Sequence, residues 1–241
     1  MGKQCHLNHA PIVEALIDIQ FAPVADMDMS AIAVELSTGK SASISDLFET
    51  LFELRVDDDA LPYSSSSGKR LDFGVEHRVI QIRSNSFTFS KLAPYDTWEE
   101  MLEPMLVAWQ HFLKYLGTGT INRVALRYIN VLELPLPLDS FDRYLTSPPQ
   151  VPQGLQQGIS GFLTRVLCPL KEDLLIITQS LEREASDNSA VKVALDIEVS
   201  HEHQLDRSDV AALNLVLNRL RAAKNDAFFA YLTDDALELF K

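Results

Sequence analysis

The sequence predicts an α+β fold with a mostly antiparallel sheet: a ferredoxin-like (βαββαβ) N-terminal half, helices packed on one face of the sheet, and a C-terminal half that extends it. Three observations carry this prediction. Period-two alternation fills 11–21, 70–92 and 161–200, long apolar stripes at helical spacing fill 97–116 and 208–224, and strand groups precede each of those two helices, the order of an α+β layer rather than of a parallel βαβ repeat. The 241 residues are 46% apolar and 23% charged, which excludes disordered, collagen-like and coiled-coil classes and allows a core that needs no disulfide or metal staple.

In residues 11–21, Val13, Ala15, Ile17, Ile19 and Phe21 share one face and Glu14, Asp18 and Gln20 the other, the pattern of a strand with one dry face. Met29–Leu36 reads as a weak helix. Ser45–Leu54 reads as a clearer one, because Leu47, Phe48, Leu51, Phe52 and Leu54 recur at helical spacing behind Ser45 as N-cap. Asp57–Asp59 and Ser64–Gly68 read as a solvated loop. Arg70–Leu92 then forms an antiparallel meander with reversals at 76–78 and 84–86.

Thr97, Glu99 and Glu100 open a helix whose stripe runs through Trp98, Met101, Leu102, Met105, Trp109, Phe112 and Leu116 to a left-handed stop at Gly117. Pro104 is expected to kink that helix or delay its start. Residues 120–134 are apolar on both faces, the signature of a central strand covered on both sides for part of its length. Pro135 and Pro137 end it, and 139–160, with its prolines, its glycines and a short helix near Ser140–Leu145, is a surface connector. Strands follow near 161–168, 173–181 and 190–200, then a helix over 208–224 with Arg219, Arg221 and Lys224 in its last turns, and a final short helix capped by Thr233. The division is thus 1–138, connector 139–160 and 161–241, the last forming one continuous domain with the first.

Three stretches carry a resemblance. Pro11-Ile12-Val13-Glu14-Ala15-Leu16 is similar to a Pro-Pro-Ile-Val-Glu-Ala opening, with Ala10 in place of the first proline. Arg123-Val124-Ala125-Leu126-Arg127-Tyr128-Ile129-Asn130 resembles an Arg-x-Gly-Leu-Arg-Tyr-Ile-Asn signature, with Ala125 for the glycine. The third stretch runs from Leu195-Asp196-Ile197 through Leu220, Ala227-Phe228 and Leu232-Thr233 to Phe240, with Arg221 where a histidine is frequent. Together these resemble a sporadically distributed, functionally uncharacterised bacterial family of about this length. The resemblance implies no activity. Its patchy distribution implies an accessory system of defence or toxin-neutralising type, by analogy alone.

With 34 acidic and 21 basic side chains the net charge is −13, which repels a phosphate backbone and disfavours nucleic acid as partner. Two cysteines point to a reducing compartment, and no run approaches the length of a membrane helix, so a cytoplasmic location without membrane attachment is expected. Arg123 and Arg127 lie on one face of a largely apolar strand, and guanidiniums partly covered by protein require carboxylates or an anionic ligand. Glu14, Asp18, Asp196 and Glu198 are the candidate partners. The first and last strands of a ferredoxin-like unit are neighbours, so Glu14 and Asp18 are expected opposite the arginines. With Tyr128 and Asn130 of the same motif, these eight residues form the candidate ligand-binding set.

No catalytic residue, metal site or cofactor is assigned. His201-Glu202-His203 offers two imidazoles on one side of a strand end, read as a solvated terminus rather than a metal site, and Cys5-His6 with His9 lies at the chain end. Cys168 reads as packing, and Gly117-Thr118-Gly119-Thr120 as a helix-to-strand turn rather than a phosphate loop. Trp98 and Trp109 read as core rather than as walls of an apolar ligand cavity. The function expected is a non-enzymatic, acidic protein-interaction module of a bacterial accessory system, with a basic protein surface as partner and a homodimer left open. The alternative is an anion- or nucleotide-binding or hydrolytic protein using Arg123 and Arg127.

Overall fold

The computed structural model describes residues 7–51, 63–152, 159–182 and 190–241. Strand β1 (Ile12–Phe21) buries Ala15, Ile17, Ile19 and Phe21 on one side, as the alternation requires. It leads into helix α1 (Met29–Ser37), started by Asp28, whose carboxylate accepts from the Ser30 and Ala31 amides. Strands β2 (Ser43–Leu51), β3 (Tyr63–Phe73), β4 (Arg78–Arg83) and β5 (Ser86–Leu92) follow as an antiparallel meander. Helix α2 (Trp98–Leu113) begins on Thr97, which accepts from the Glu100 amide, and carries Pro104 inside it. Strand β6 (Thr120–Pro135) returns beside β1, and β7 (Leu163–Leu170), β8 (Asp173–Glu182), β9 (Ala190–His201) and the short β10 (Leu205–Asp206) complete the sheet. Helices α3 (Val210–Tyr231) and α4 (Asp234–Glu238) close the chain, capped by Asp209 and Thr233.

The sheet has the order β2-β3-β4-β5-β1-β6-β9-β8-β7, with β10 beside β6 and every pairing antiparallel. Within it β4-β5-β1-β6, with α1 and α2 as crossovers, is the ferredoxin-like arrangement. The β2–β3 hairpin widens one edge, and β9-β8-β7 continue the sheet past β6. The buried apolar side chains of all four described helices belong to one core on a single face of this sheet. There Phe21, Phe87, Trp109 and Phe112 meet with ring centroids 5.3–6.2 Å apart.

Several expectations are corrected. Residues 43–51 form a strand, not a helix: Phe48 is 65% exposed at the sheet margin and Ile44 also faces water, so a helical stripe here has no core to enter, whereas pairing with β3 satisfies the backbone. The Ser64–Gly68 stretch is strand as well. A register shift beside Ser67 lets Gly68 approach β4 so closely that a Cβ there would lie 2.1 Å from the Ile82 carbonyl oxygen. Asp57–Asp59 lies outside the described residues. Strand β6 is fully covered on one side, where Val124, Leu126, Tyr128, Asn130, Leu132 and Leu134 are buried; on the other face Ala125 is buried at 1% exposure while Arg123, Arg127, Ile129 and Val131 are half-buried, so cover there is local. The expected helix at 140–145 is a single 3₁₀ turn over Phe141–Arg143, and Tyr144 and Leu145 beyond it are buried, Leu145 bridging to Leu232.

The Gly117–Thr120 segment is the expected turn. Gly117 has φ +62°, and Gly119, at φ +153°, lies under Arg207, whose Nη2 would be 2.1 Å from an added Cβ. Arg207 is buried and donates from Nη1 to the Leu116 carbonyl at 2.8 Å, tying the connection between α2 and β6 to the segment before α3.

Candidate functional site

The two faces of β6 carry different chemistry because successive side chains point to opposite sides. On the face away from the described helices, the register sets Gln20 and Leu16 of β1 opposite Arg123 and Arg127, so the expected Glu14 and Asp18 stand two residues off, opposite Ile129 and Ala125. The arginines turn mainly to β9 instead. Arg127 forms a two-pronged pair with Asp196, Nε to Oδ1 at 2.9 Å and Nη2 to Oδ2 at 2.6 Å, which holds its guanidinium above the ordinary arginine range. Arg123 donates from Nη2 to Glu198 Oε1 at 2.5 Å and from Nη1 to Asp18 Oδ2 at 3.5 Å, with Glu202 3.8 Å from Nε.

Asp18 also accepts from the Thr88 hydroxyl at 2.8 Å and from the Gln20 amide at 2.7 Å, so the network reaches from β9 to β5. Glu14 makes no hydrogen bond or ion pair among the described residues, and acts on Arg127 only through its field. Five carboxylates, Glu14, Asp18, Asp196, Glu198 and Glu202, thus surround two guanidiniums. The pairs are partly wet: the side chains of Arg123, Asp18, Asp196 and Glu198 are 18–23% exposed, and that of Arg127 is 39% exposed.

Tyr128 and Asn130 are not part of this ladder. Both are buried on the helix-covered face, where the Asn130 amide donates to the Leu195 carbonyl at 2.9 Å and the Tyr128 hydroxyl lies 2.8 Å from that of Tyr95. Burial, foremost, pushes both phenols upward, Tyr128 strongly. Lys224 of α3 sits over the Tyr128 ring with Nζ 3.8 Å from its centroid, and it is 9% exposed. No hydrogen bond or ion pair engages it among the described residues. Burial first, then repulsion from Arg221, lowers its ammonium from 10.5 to about 7.

Lys224 is not among the candidates the sequence offers, because a helix ending at 224 makes Arg219, Arg221 and Lys224 a basic last turn. The helix continues to Tyr231, and the signal was present in the stripe: Leu213, Leu217, Leu220, Ala227 and Phe228 face the core, and Lys224 occupies the intervening core position.

His201 is likewise not a solvated terminus. It is 4% exposed, its Nδ1 lies 2.9 Å from Asp173 Oδ1, and Arg219 grips Asp173 with two bonds of 2.9 Å. Burial works against the Asp173 carboxylate, but the hydrogen bonds from Arg219 and His201 outweigh it and its pKa falls. Among the described residues no group of three or more His, Cys, Asp or Glu is arranged to hold a metal, and no helix is long and apolar enough to cross a membrane. Cys168 is a half-buried free thiol, and Trp98 and Trp109 are core residues, 3% and 0% exposed. No protein-family model matches the chain, and no curated protein matches it at significant similarity.

Proposed function

We propose that this protein is a non-enzymatic interaction module that engages a basic surface of a partner protein through the face of its sheet on which none of the described helices packs. The observation that carries the reading is the excess of carboxylates over guanidiniums on β1, β6 and β9. Arg123 and Arg127 are already committed to Glu198, Asp18 and Asp196, so they are not free cations awaiting a phosphate, and the charge left over is negative. The whole-chain charge of −13 adds a long-range field of the same sign, which speeds encounter with cationic partners. The reading includes a role in a bacterial accessory system, supported by analogy with the sporadic family the sequence resembles, where occupying a partner's basic site is a sufficient mechanism.

The alternative, an anion or nucleotide held by the arginines, requires breaking these pairs at the cost of their carboxylates, and no geometry favours it. The two readings separate by amide-shift mapping with a lysine- and arginine-rich peptide and, in parallel, adenosine triphosphate. The expected result is peptide-induced shifts on β1, β6 and β9 that weaken in Glu14→Gln/Glu202→Gln and with added salt. Shifts confined to other surfaces, or triphosphate binding lost in Arg127→Ala, would overturn the proposal.

A further inference from the structure

On the opposite side of the sheet from the charge ladder, residues 7–12, the loop before α2 and the second half of α3 border an open cavity of about 360 Å³. Its walls divide by chemistry. Ile12, Phe228 and Phe229 are apolar, Tyr95 and Asn130 offer a hydroxyl and an amide, and Arg221 and Lys224 bring two cationic side chains one turn apart on the same helix. The volume lies at the lower end of the range of small-molecule sites, roughly 300–1,000 Å³, and the lining is mixed, with more polar than apolar surface.

A lysine is seldom kept in a core position without a partner, since a desolvated ammonium is costly. Here Lys224 is more than nine-tenths buried, is engaged by no carboxylate among the described residues, and lies against a tyrosine face. Arg221 at the same cavity stacks over Trp98, 5.4 Å from the ring centroid, and meets Glu99 only at 3.6 Å. Two donors are therefore gathered in a cavity of mixed lining without a full complement of acceptors.

We propose that this cavity binds a small organic monocarboxylate, its carboxylate between Lys224 and Arg221 and its apolar body on Tyr95, Phe228 and Phe229. A planar carboxylate matches the guanidinium fork and supplies the charge that Lys224 lacks. A doubly charged phosphate is disfavoured, because Asp96 lines the same cavity and Glu99 and Glu100 stand close enough to act on Tyr95. The site is independent of the proposed partner surface, from which the sheet separates it. The groups facing Lys224 are Arg221 on its own helix, Tyr128 of β6, and Tyr95 and Asp96 of the loop. None of them replaces the missing anion, so binding a carboxylate is coupled to proton uptake by the amine as the pH rises above 7.

The test is titration of the full chain with acetate, benzoate, phenylacetate and octanoate, followed by calorimetry and amide shifts, with inorganic phosphate as the competing anion. The expected result is saturable binding of at least one larger carboxylate, with shifts at Tyr95, Asn130 and Phe228. Affinity falls about tenfold or more in both Lys224→Met and Arg221→Gln, and weakens as pH rises above 7. Lys224→Met relieves a buried charge and is expected to fold, so loss of binding there is not loss of structure. Absence of saturable binding across the four acids, shifts located elsewhere, undiminished binding in both variants, or phosphate binding as tightly as the best acid would each overturn the assignment.

Discussion

Replacing Lys224 by methionine isolates the energetic consequence of a buried, unpartnered amine. The ammonium falls from 10.5 in the exposed chain to about 7 in the fold. At about 1.36 kcal/mol per pKa unit, wild-type stability below pH 7 carries a burden of roughly 5 kcal/mol relative to high pH. The sign is fixed by proton counting. Between about 7 and 10.5 the unfolded chain holds the proton and the native state does not, so wild-type stability rises with pH across that window and is flat below it. Methionine keeps the length of the stem over Tyr128 and removes the titration. Urea denaturation of both proteins across the window should show Lys224→Met more stable by several kcal/mol at pH 7 and below, with the advantage shrinking steadily towards pH 10.5. A difference that does not vary with pH, or a variant less stable at neutral pH, would refute the reasoning.

Two further outcomes are expected. The Glu35 carboxyl is held down to about 2 by hydrogen bonds from Tyr115, Lys114 and His111, so the stability it contributes is present above its ordinary 4.5 and is lost as pH falls towards 2. Carbon-13 titration should show that midpoint moving upward in Tyr115→Phe, and an unmoved midpoint contradicts the assignment. Asp173→Ala leaves His201 and Arg219 without their shared carboxylate and should cost about 3 kcal/mol in chemical denaturation, whereas a cost within experimental error contradicts a structural role for the cluster.

What was legible in the sequence follows from what periodicity encodes. The alternation of Ala15, Ile17, Ile19 and Phe21 identified β1 and its dry face, and the capped stripe from Trp98 to Phe112 identified α2, because face and period are local properties. Register is not local. Periodicity places Arg123 and Arg127 on one face but cannot show that a two-residue offset sets Leu16 and Gln20 opposite them and hands their charges largely to β9.

The same limit separates Tyr128 and Asn130 from the arginines: contiguity in a motif is not contiguity in a site when the motif is a strand. Residues 43–51 were misread because apolar residues in a short segment fit either period, and only the position at the sheet margin decides between them. Lys224 was hidden by ending α3 too early, which turned a core lysine into an ordinary basic helix end.

The most direct test of the central claim, that the guanidiniums of β6 are neutralised from within the sheet, is a double-mutant cycle on Arg123 and Glu198 using Arg123→Met and Glu198→Gln. The pair is roughly one-fifth exposed and joined at 2.5 Å, intermediate between surface bridges worth about 0–1 kcal/mol and buried pairs whose disruption costs about 3–5 kcal/mol. The predicted coupling is about 1–2 kcal/mol, favourable in the wild type. A coupling indistinguishable from zero would contradict the claim, leaving Arg123 available for an outside anion.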